Sequence, residues 1–369
     1  MVIKNSVKIF PLAICLILLA CDSHKKKNVK QTNYWGTPTP DHSAIDTVAM
    51  NQLTAKISNG DYINIHSLLI VKANALVYEK YFDGYDQRNG FRQFNKDELH
   101  QWRSTSKSVT SILIGIAIDK GYIKSVNEPV FSFFPEYSDL FDTEKKKILL
   151  KDVLTMRSGI SWDQRSEPHN YNDEGKMEGS ANFVRYVLSK SVSVIPGTIF
   201  DYNSGNTILL AGIIKNTTGM HINEFAEKHL FNPLDIYEHD WWMSPGGLPQ
   251  AHTGLILKPR DMAKLGQLFL NKGLWKDKQI ISEKWIQESI KDHVQEPRHY
   301  GYQWWRQTFE ANGEYHEAFY AAGNGGQFMF CFPDLDIVVV FTAGNYGQNF
   351  YKKQVVKMLS EVILPAIDR

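Results

Sequence analysis

The sequence predicts an α+β protein of αβα layers: an antiparallel sheet assembled from strands at the two ends of the chain, flanked by helices, with a mainly helical lobe inserted between them. Three observations predict it. Apolar, strand-like runs occur early, at 68–71 and 76–82, and again late, at 326–332 and 337–342. Residues 104–120 are apolar on nearly all sides, the pattern of a buried helix. Between about 127 and 247, shorter helical stretches alternate with Pro and Gly turns.

The chain opens with Lys4 and Lys8, then an apolar run over 9–20 that is too short to span a bilayer as a permanent helix. Leu18, Leu19 and Ala20 lead to Cys21 in the pattern of a bacterial lipoprotein signal. The expectation is a signal peptide over 1–20, a lipid on Cys21, and an exported protein held at a membrane of the bacterial cell envelope. Residues 21–45 include Lys25, Lys26, Lys27 and Lys30 and almost nothing apolar at their start, so they read as a solvated tether. The folded domain is then expected over 46–369.

Within that domain, 66–82 reads as a hairpin broken at Ala73, Asn74 and Ala75. The helix over 104–120 ends at Gly121, where a left-handed residue suits a helix C-terminus. In the lobe, 149–156, 181–188, 207–217 and 222–231 are the best helical stretches. The late strands are joined by residues 333–336, whose Pro and Asp suit a tight turn, and a helix over 350–363 closes the chain.

Lys and Arg total 41 against 40 Asp and Glu, so no electrostatic footprint favours a polyanion, and nucleic acid is excluded as a partner. Of the three cysteines, Cys15 leaves with the signal and Cys21 carries lipid, which leaves Cys331 alone and no intrachain disulfide. No cofactor or metal is called for. His316 and Glu317 lack the second histidine of a helical zinc motif, and there is neither a Gly-x-Ser-x-Gly elbow nor a phosphate-cradling loop ending in Gly-Lys.

Three short elements carry candidate chemistry. Ser104 and Lys107 are three apart at the mouth of the buried helix, which puts both on one face within reach of each other. A serine hydroxyl attacks well only when a base takes its proton, and burial favours the neutral amine that can do so. Spacing alone decides nothing, because Ser23 and Lys26 match it equally well in the tether. The second element is the polar turn 200–206. Here Tyr202 could relay a proton, and Asn203 and Ser204 could bond a substrate carbonyl. The third, 323–327, holds Asn324, Gly325 and Gly326, where a substrate could approach the backbone closely, and ends at Gln327, whose amide could be an oxyanion donor. Trp162, Asp163, Trp241, Trp242, His252, Tyr302, Trp304 and Trp305 are further candidates for the cleft.

Taken in this order, the three elements resemble the serine beta-lactamase and penicillin-binding-protein superfamily, and more closely its esterase and 6-aminohexanoate-oligomer hydrolase relatives. The likeness extends over most of the chain, including LTMRSGISW at 154–162 and PRDMAKLGQLFLNKG at 259–273. It implies a beta-lactamase/transpeptidase-like fold and a serine hydrolase acting on a small ester or amide. On it, Ser104 is the acylated nucleophile, Lys107 its base, Tyr202 the relay, and the Ser104 and Gln327 amides the oxyanion hole. Two departures bear on substrate. Tyr202, Asn203, Ser204 stand where penicillin-recognising members have Tyr-x-Asn, and Asn324, Gly325, Gly326 where they have Lys-Thr-Gly. The missing lysine removes a cation for a carboxylate, so a neutral ester or small amide is the better match, with Arg157, Arg165 and Lys258 as cations elsewhere. The rival readings are a cell-wall D,D-carboxypeptidase or beta-lactamase and a non-catalytic ligand-binding lipoprotein.

Overall fold

The computed structural model describes Trp35, residues 45–295 and residues 298–367. The expected signal peptide and the acylated Cys21 lie outside the described residues, as does the tether except for Trp35 and Ile45.

The centre is a six-stranded antiparallel sheet made from both ends of the chain. Its strands are β1 (Ile65–Lys72), β2 (Ala75–Tyr81), β3 (Trp305–Ala311), β4 (Glu314–Gly323), β5 (Gln327–Phe332) and β6 (Ile337–Ala343). They lie side by side as β3-β4-β5-β6-β1-β2, so the first hairpin is completed by the last strand, with Leu68 opposite Phe341 and Ile70 opposite Val339.

Strand periodicity explains why β6 reads as an unbroken apolar run. Ile337, Val339 and Phe341 face one core, shared with Met50, Leu53 and Ile57 of helix α1 (Thr47–Ser58) and with Met358, Leu359 and Ile363 near the C-terminus. Val338, one step out of phase, faces the opposite side, where Gly266 of a second helix (Pro259–Leu270) comes so close that an added Cβ would stand 2.6 Å from it. Helices therefore cover both faces, and the strand is apolar on both from Ile337 to Phe341. Each fully buried aliphatic side chain of this kind contributes about 1.5–3 kcal/mol relative to exposure.

The buried run at 104–120 divides in two. Arg103–Thr105 is a single 3-10 turn, and α2 spans Ser106–Asp119, every residue from Ser106 to Ala117 being buried. The expected helix does not begin at Ser104, because Arg103 takes a left-handed φ of 49° and the chain must turn before the α-helix can propagate. Two strands of the sheet, β3 and β4, were not foreseen. The helix over Pro259–Leu270, α1, and the helix Glu283–Ile290 also lay outside the helical stretches read from periodicity.

Between the two halves of the sheet, the chain forms α3 (Asp173–Glu178), α4 (Ser204–Thr218) and several shorter turns. α4 is buried from Ser204 to Ile214 and capped by Asn203, whose side-chain oxygen accepts the Asn206 amide. Gly219, with φ 75°, ends it. Three short strands, His100–Gln101, Leu255–Leu257 and His239–Trp241, pair into a small sheet that delivers the chain to Trp102.

Candidate active site

Trp102 anchors the turn that carries Ser104. It is fully buried, its amide donates to the Leu255 carbonyl at 2.9 Å and its indole Nε1 to the Leu257 carbonyl at 3.0 Å. Ser106 locks the other side, donating its hydroxyl to the Arg103 carbonyl at 2.6 Å and accepting the Leu255 amide at 3.2 Å. The nucleophile candidate thus sits on a short turn clamped to a strand at both flanks.

Lys107, one turn on, is 1% exposed. Its Nζ donates to Ser104 Oγ at 3.0 Å and to the His252 carbonyl at 2.9 Å. No carboxylate pairs with it among the described residues, so hydroxyl and carbonyl oxygens are its polar contacts. The same Nζ is 5.1 Å from the centre of the Tyr202 ring. Tyr202 is half-buried and stacks on Trp305, ring centres 5.6 Å apart, at the rim of a small cluster with Met156, Val294 and Tyr300. Two segments far apart in sequence therefore bring Ser104, Lys107 and Tyr202 together.

Beneath Lys107 lies a polar network whose links spacing did not show. His252 is fully buried, with Nε2 at 3.1 Å from Glu178 and 3.7 Å from Glu174, the two carboxylates one turn apart on α3. Glu178 also pairs with His169 at 2.9 Å. Burial alone would push the Glu178 carboxyl up, but hydrogen bonds from His169 and His252, with their charge, outweigh it and hold it down at about 2. Glu174 accepts the Ser204 hydroxyl at 2.6 Å and the Gln164 amide at 2.7 Å, and Gln164 in turn accepts the Ser204 amide at 3.0 Å. One short helix therefore holds both the carbonyl that receives Lys107 and the turn that presents Tyr202.

This network corrects the expectation for Ser204. It is fully buried with its hydroxyl engaged by Glu174, so it braces α4 and offers nothing to a substrate carbonyl. Asn203 is buried as the α4 cap, and its Nδ2 is itself buried with no acceptor among the described residues.

The glycine-rich element forms the β4–β5 turn. Gly323 presses on the nucleophile turn, since an added Cβ would meet the Trp102 carbonyl oxygen at 2.4 Å and Thr105 Oγ1 at 3.1 Å. Thr105 Oγ1 donates to the Gln327 carbonyl at 3.4 Å, so the start of β5 also abuts this turn. The Gln327 side chain points away, donating to the Ala343 carbonyl at 2.6 Å. Gly325 and Gly326 take φ of 91° and 102°, which a side chain would strain. Asn324 is exposed and accepts the Gly347 amide at 3.0 Å, which ties the turn to the loop after β6. Its side-chain oxygen is thereby engaged in the fold.

Among the remaining cleft candidates, Trp304 and Tyr302 are core residues, Trp162 and Trp241 are buried, and Asp163 accepts the amides of Arg165 and Ser166 in an exposed turn. Trp242 and Trp305 keep partial exposure. Lys258 is buried against Glu238 at 2.9 Å, so it is no spare cation. A cavity of about 1010 Å³ lies beside the site, sharing Gln87 and Tyr346 with its surroundings, and none of Ser104, Lys107 or Tyr202 lines it.

Comparison with known proteins agrees with this architecture. The chain is 23% identical over 236 residues to the 6-aminohexanoate-dimer hydrolase of Paenarthrobacter ureafaciens, a match covering 61% of this chain and 56% of that protein. Among solved structures, a family VIII carboxylesterase superposes with a TM-score of 0.69 at 16% identity, covering 90% of this chain and 98% of the other. The octameric penicillin-binding protein homologue from Pyrococcus abyssi gives a TM-score of 0.66 at 18% identity, covering 88% and 78%. The Beta-lactamase family profile matches residues 61–354. With that match spanning most of its length, the chain belongs to the beta-lactamase family.

Proposed function

We propose that this protein is a serine hydrolase that cleaves an ester or amide bond through an acyl-enzyme on Ser104. One observation carries the reading: a buried lysine amine stands 3.0 Å from the hydroxyl of a serine held on a clamped turn. The Lys107 amine acts as the base that takes the Oγ proton as Ser104 attacks the carbonyl carbon. The oxyanion is received by the Ser104 amide and, from the β5 edge, the Gln327 amide. Tyr202 passes the proton to the departing alcohol or amine. Water then attacks the acyl-enzyme, with the same groups acting in reverse. Membership of the beta-lactamase family and likeness to an amide hydrolase and a carboxylesterase support this reaction class.

The test is turnover of a panel of 4-nitrophenyl esters and matched anilides, with stopped-flow detection of an initial nitrophenol burst. A burst near one equivalent, absent from Ser104→Ala, is expected. Steady hydrolysis that survives Ser104→Ala contradicts the assignment. We further propose export and anchoring through lipid on Cys21, from the run Leu18, Leu19, Ala20, Cys21 after a basic start. Radiolabelled palmitate incorporation that is unchanged in Cys21→Ser would refute the anchor.

A further inference from the structure

Two arginines beside the nucleophile have no carboxylate partner among the described residues. Arg103 immediately precedes Ser104, and its guanidinium carbon lies 4.6 Å from the centre of the Tyr346 ring and 5.1 Å from that of Trp242. Arg88 sits 4.4 Å over the same Trp242 ring. Arg92, Arg185, Arg260 and Arg306 each pair with an acid, whereas Arg157, whose Nε donates to Thr155 Oγ1 at 3.1 Å, and Arg165 make no ion pair among the described residues. Asp86, the acid nearest Arg88 in sequence, turns one oxygen to the amides of Arg88 and Asn89 and to the Asn89 side chain. Arg103 reaches Gln87 only at the limiting distance of 3.5 Å, and its Nε is buried with no acceptor among the described residues.

Two cations gathered on one indole repel each other, and the Asp86 carboxylate, which acts on Tyr346 together with both arginines, is a single negative charge against two positive ones. Aromatic faces hold guanidinium planes in register, and a planar guanidinium binds a carboxylate through paired, charge-assisted hydrogen bonds. The location is specific. Tyr346 also covers the glycine turn, since a Cβ on Gly325 would stand 2.5 Å from its ring. The arginine pair therefore adjoins both the nucleophile turn and the 323–327 turn. The neighbouring cavity shares Tyr346 and Gln87 and adds Tyr85, Phe91 and Phe350, which leaves room for the body of a ligand.

We propose that Arg103 and Arg88, framed by Trp242 and Tyr346, form an anion subsite that receives a carboxylate carried by the substrate. This rests on the hydrolase reading and changes its substrate class: an ester or amide bearing an anionic group, in place of the neutral one that the lack of a lysine at Asn324 suggested. The cation is restored from the nucleophile turn itself.

Two matched pairs test it: 4-acetoxybenzoate against methyl 4-acetoxybenzoate, and mono-4-nitrophenyl glutarate against 4-nitrophenyl valerate. In at least one pair, kcat/KM should favour the anion by about tenfold or more, a charge-assisted contact's worth, with the advantage shrinking as salt rises. Arg88→Gln on the exposed loop and Arg103→Gln should each lower that ratio, and Arg103→Lys should restore part of it. Affinity is read without turnover by calorimetric titration of Ser104→Ala with the same compounds, with and without Arg103→Gln. Equal affinity for anionic and neutral members of both pairs, unaltered by either arginine substitution, overturns the subsite. Failure of the hydrolase reading is separate: it appears as no burst and no serine adduct in wild-type protein, while the titration still decides whether the anion binds.

Discussion

Substituting Gly323 by alanine isolates the contact between the sheet and the nucleophile turn. The new Cβ would stand 2.4 Å from the Trp102 carbonyl oxygen, whereas ordinary contact begins at 3.4 Å, so the two must separate by about 1 Å. Trp102 cannot yield alone, because its amide and its indole are both bonded to the strand at 255–257. The shift falls on Ser104 and the oxyanion donors, and a misplacement of about 1 Å near reacting atoms costs about 100-fold in rate, or about 2.7 kcal/mol. Overpacking should destabilise the fold by about 1–3 kcal/mol in addition. The assay is the second-order rate constant for labelling by a fluorophosphonate, read beside the thermal midpoint. Gly179→Ala is the comparison, since its nearest new contacts are at 3.6 and 3.7 Å. A Gly323→Ala protein that labels within about threefold of wild type would refute the reasoning.

Lys107→Ala should slow acylation by about 10²–10⁴-fold, the usual range for losing a general base, measured from the pre-steady-state burst. Glu178→Ala should cost about 1–2 kcal/mol in denaturant unfolding, because buried His252 loses its 3.1 Å carboxylate contact, and should lower kcat more than it alters KM. His66 Nδ1 and His100 Nε2 lie 2.9 Å apart; burial first, then neighbouring positive charge, lowers His66 to about 2, and burial lowers His100 to about 4. Both are neutral when folded but take up protons below about 6.5 when unfolded, so stability present above that pH is lost as pH falls, by up to about 1.4 kcal/mol per pH unit for each histidine. His100→Gln should flatten the fall of the thermal midpoint between pH 6.5 and 5, and an unchanged slope would contradict the pairing.

The fold was legible where burial imposes a pattern. β1 and β6 are covered on both faces, so their apolar runs are continuous, and α2 is buried nearly all round. β3 and β4 lack a long apolar run: β3 is an edge strand with Arg306, Gln307 and Glu310, and β4 opens with Glu314, His316 and Glu317 before a short apolar stretch at 318–322, so the register of β3 with β4 and of β4 with β5 is what defines them. At the site, the Ser104–Lys107 spacing was readable, yet the same spacing at Ser23 and Lys26 shows that position, more than pattern, gave it weight. Ser204 was misread because its partner Glu174 lies 30 residues earlier and no local signal joins them. Arg103 could have been noticed, since it adjoins Ser104 in sequence, but its turned backbone and its two aromatic neighbours exist only in the folded chain.

The central claim is that Ser104 is an activated nucleophile. Intact mass spectrometry after exposure to a fluorophosphonate, followed by peptide mapping, tests it most directly. The account predicts one adduct, mapped to Ser104, absent from Ser104→Ala and formed far more slowly in Lys107→Ala. Folded wild-type protein that takes up no adduct, or an adduct that persists in Ser104→Ala, would contradict it.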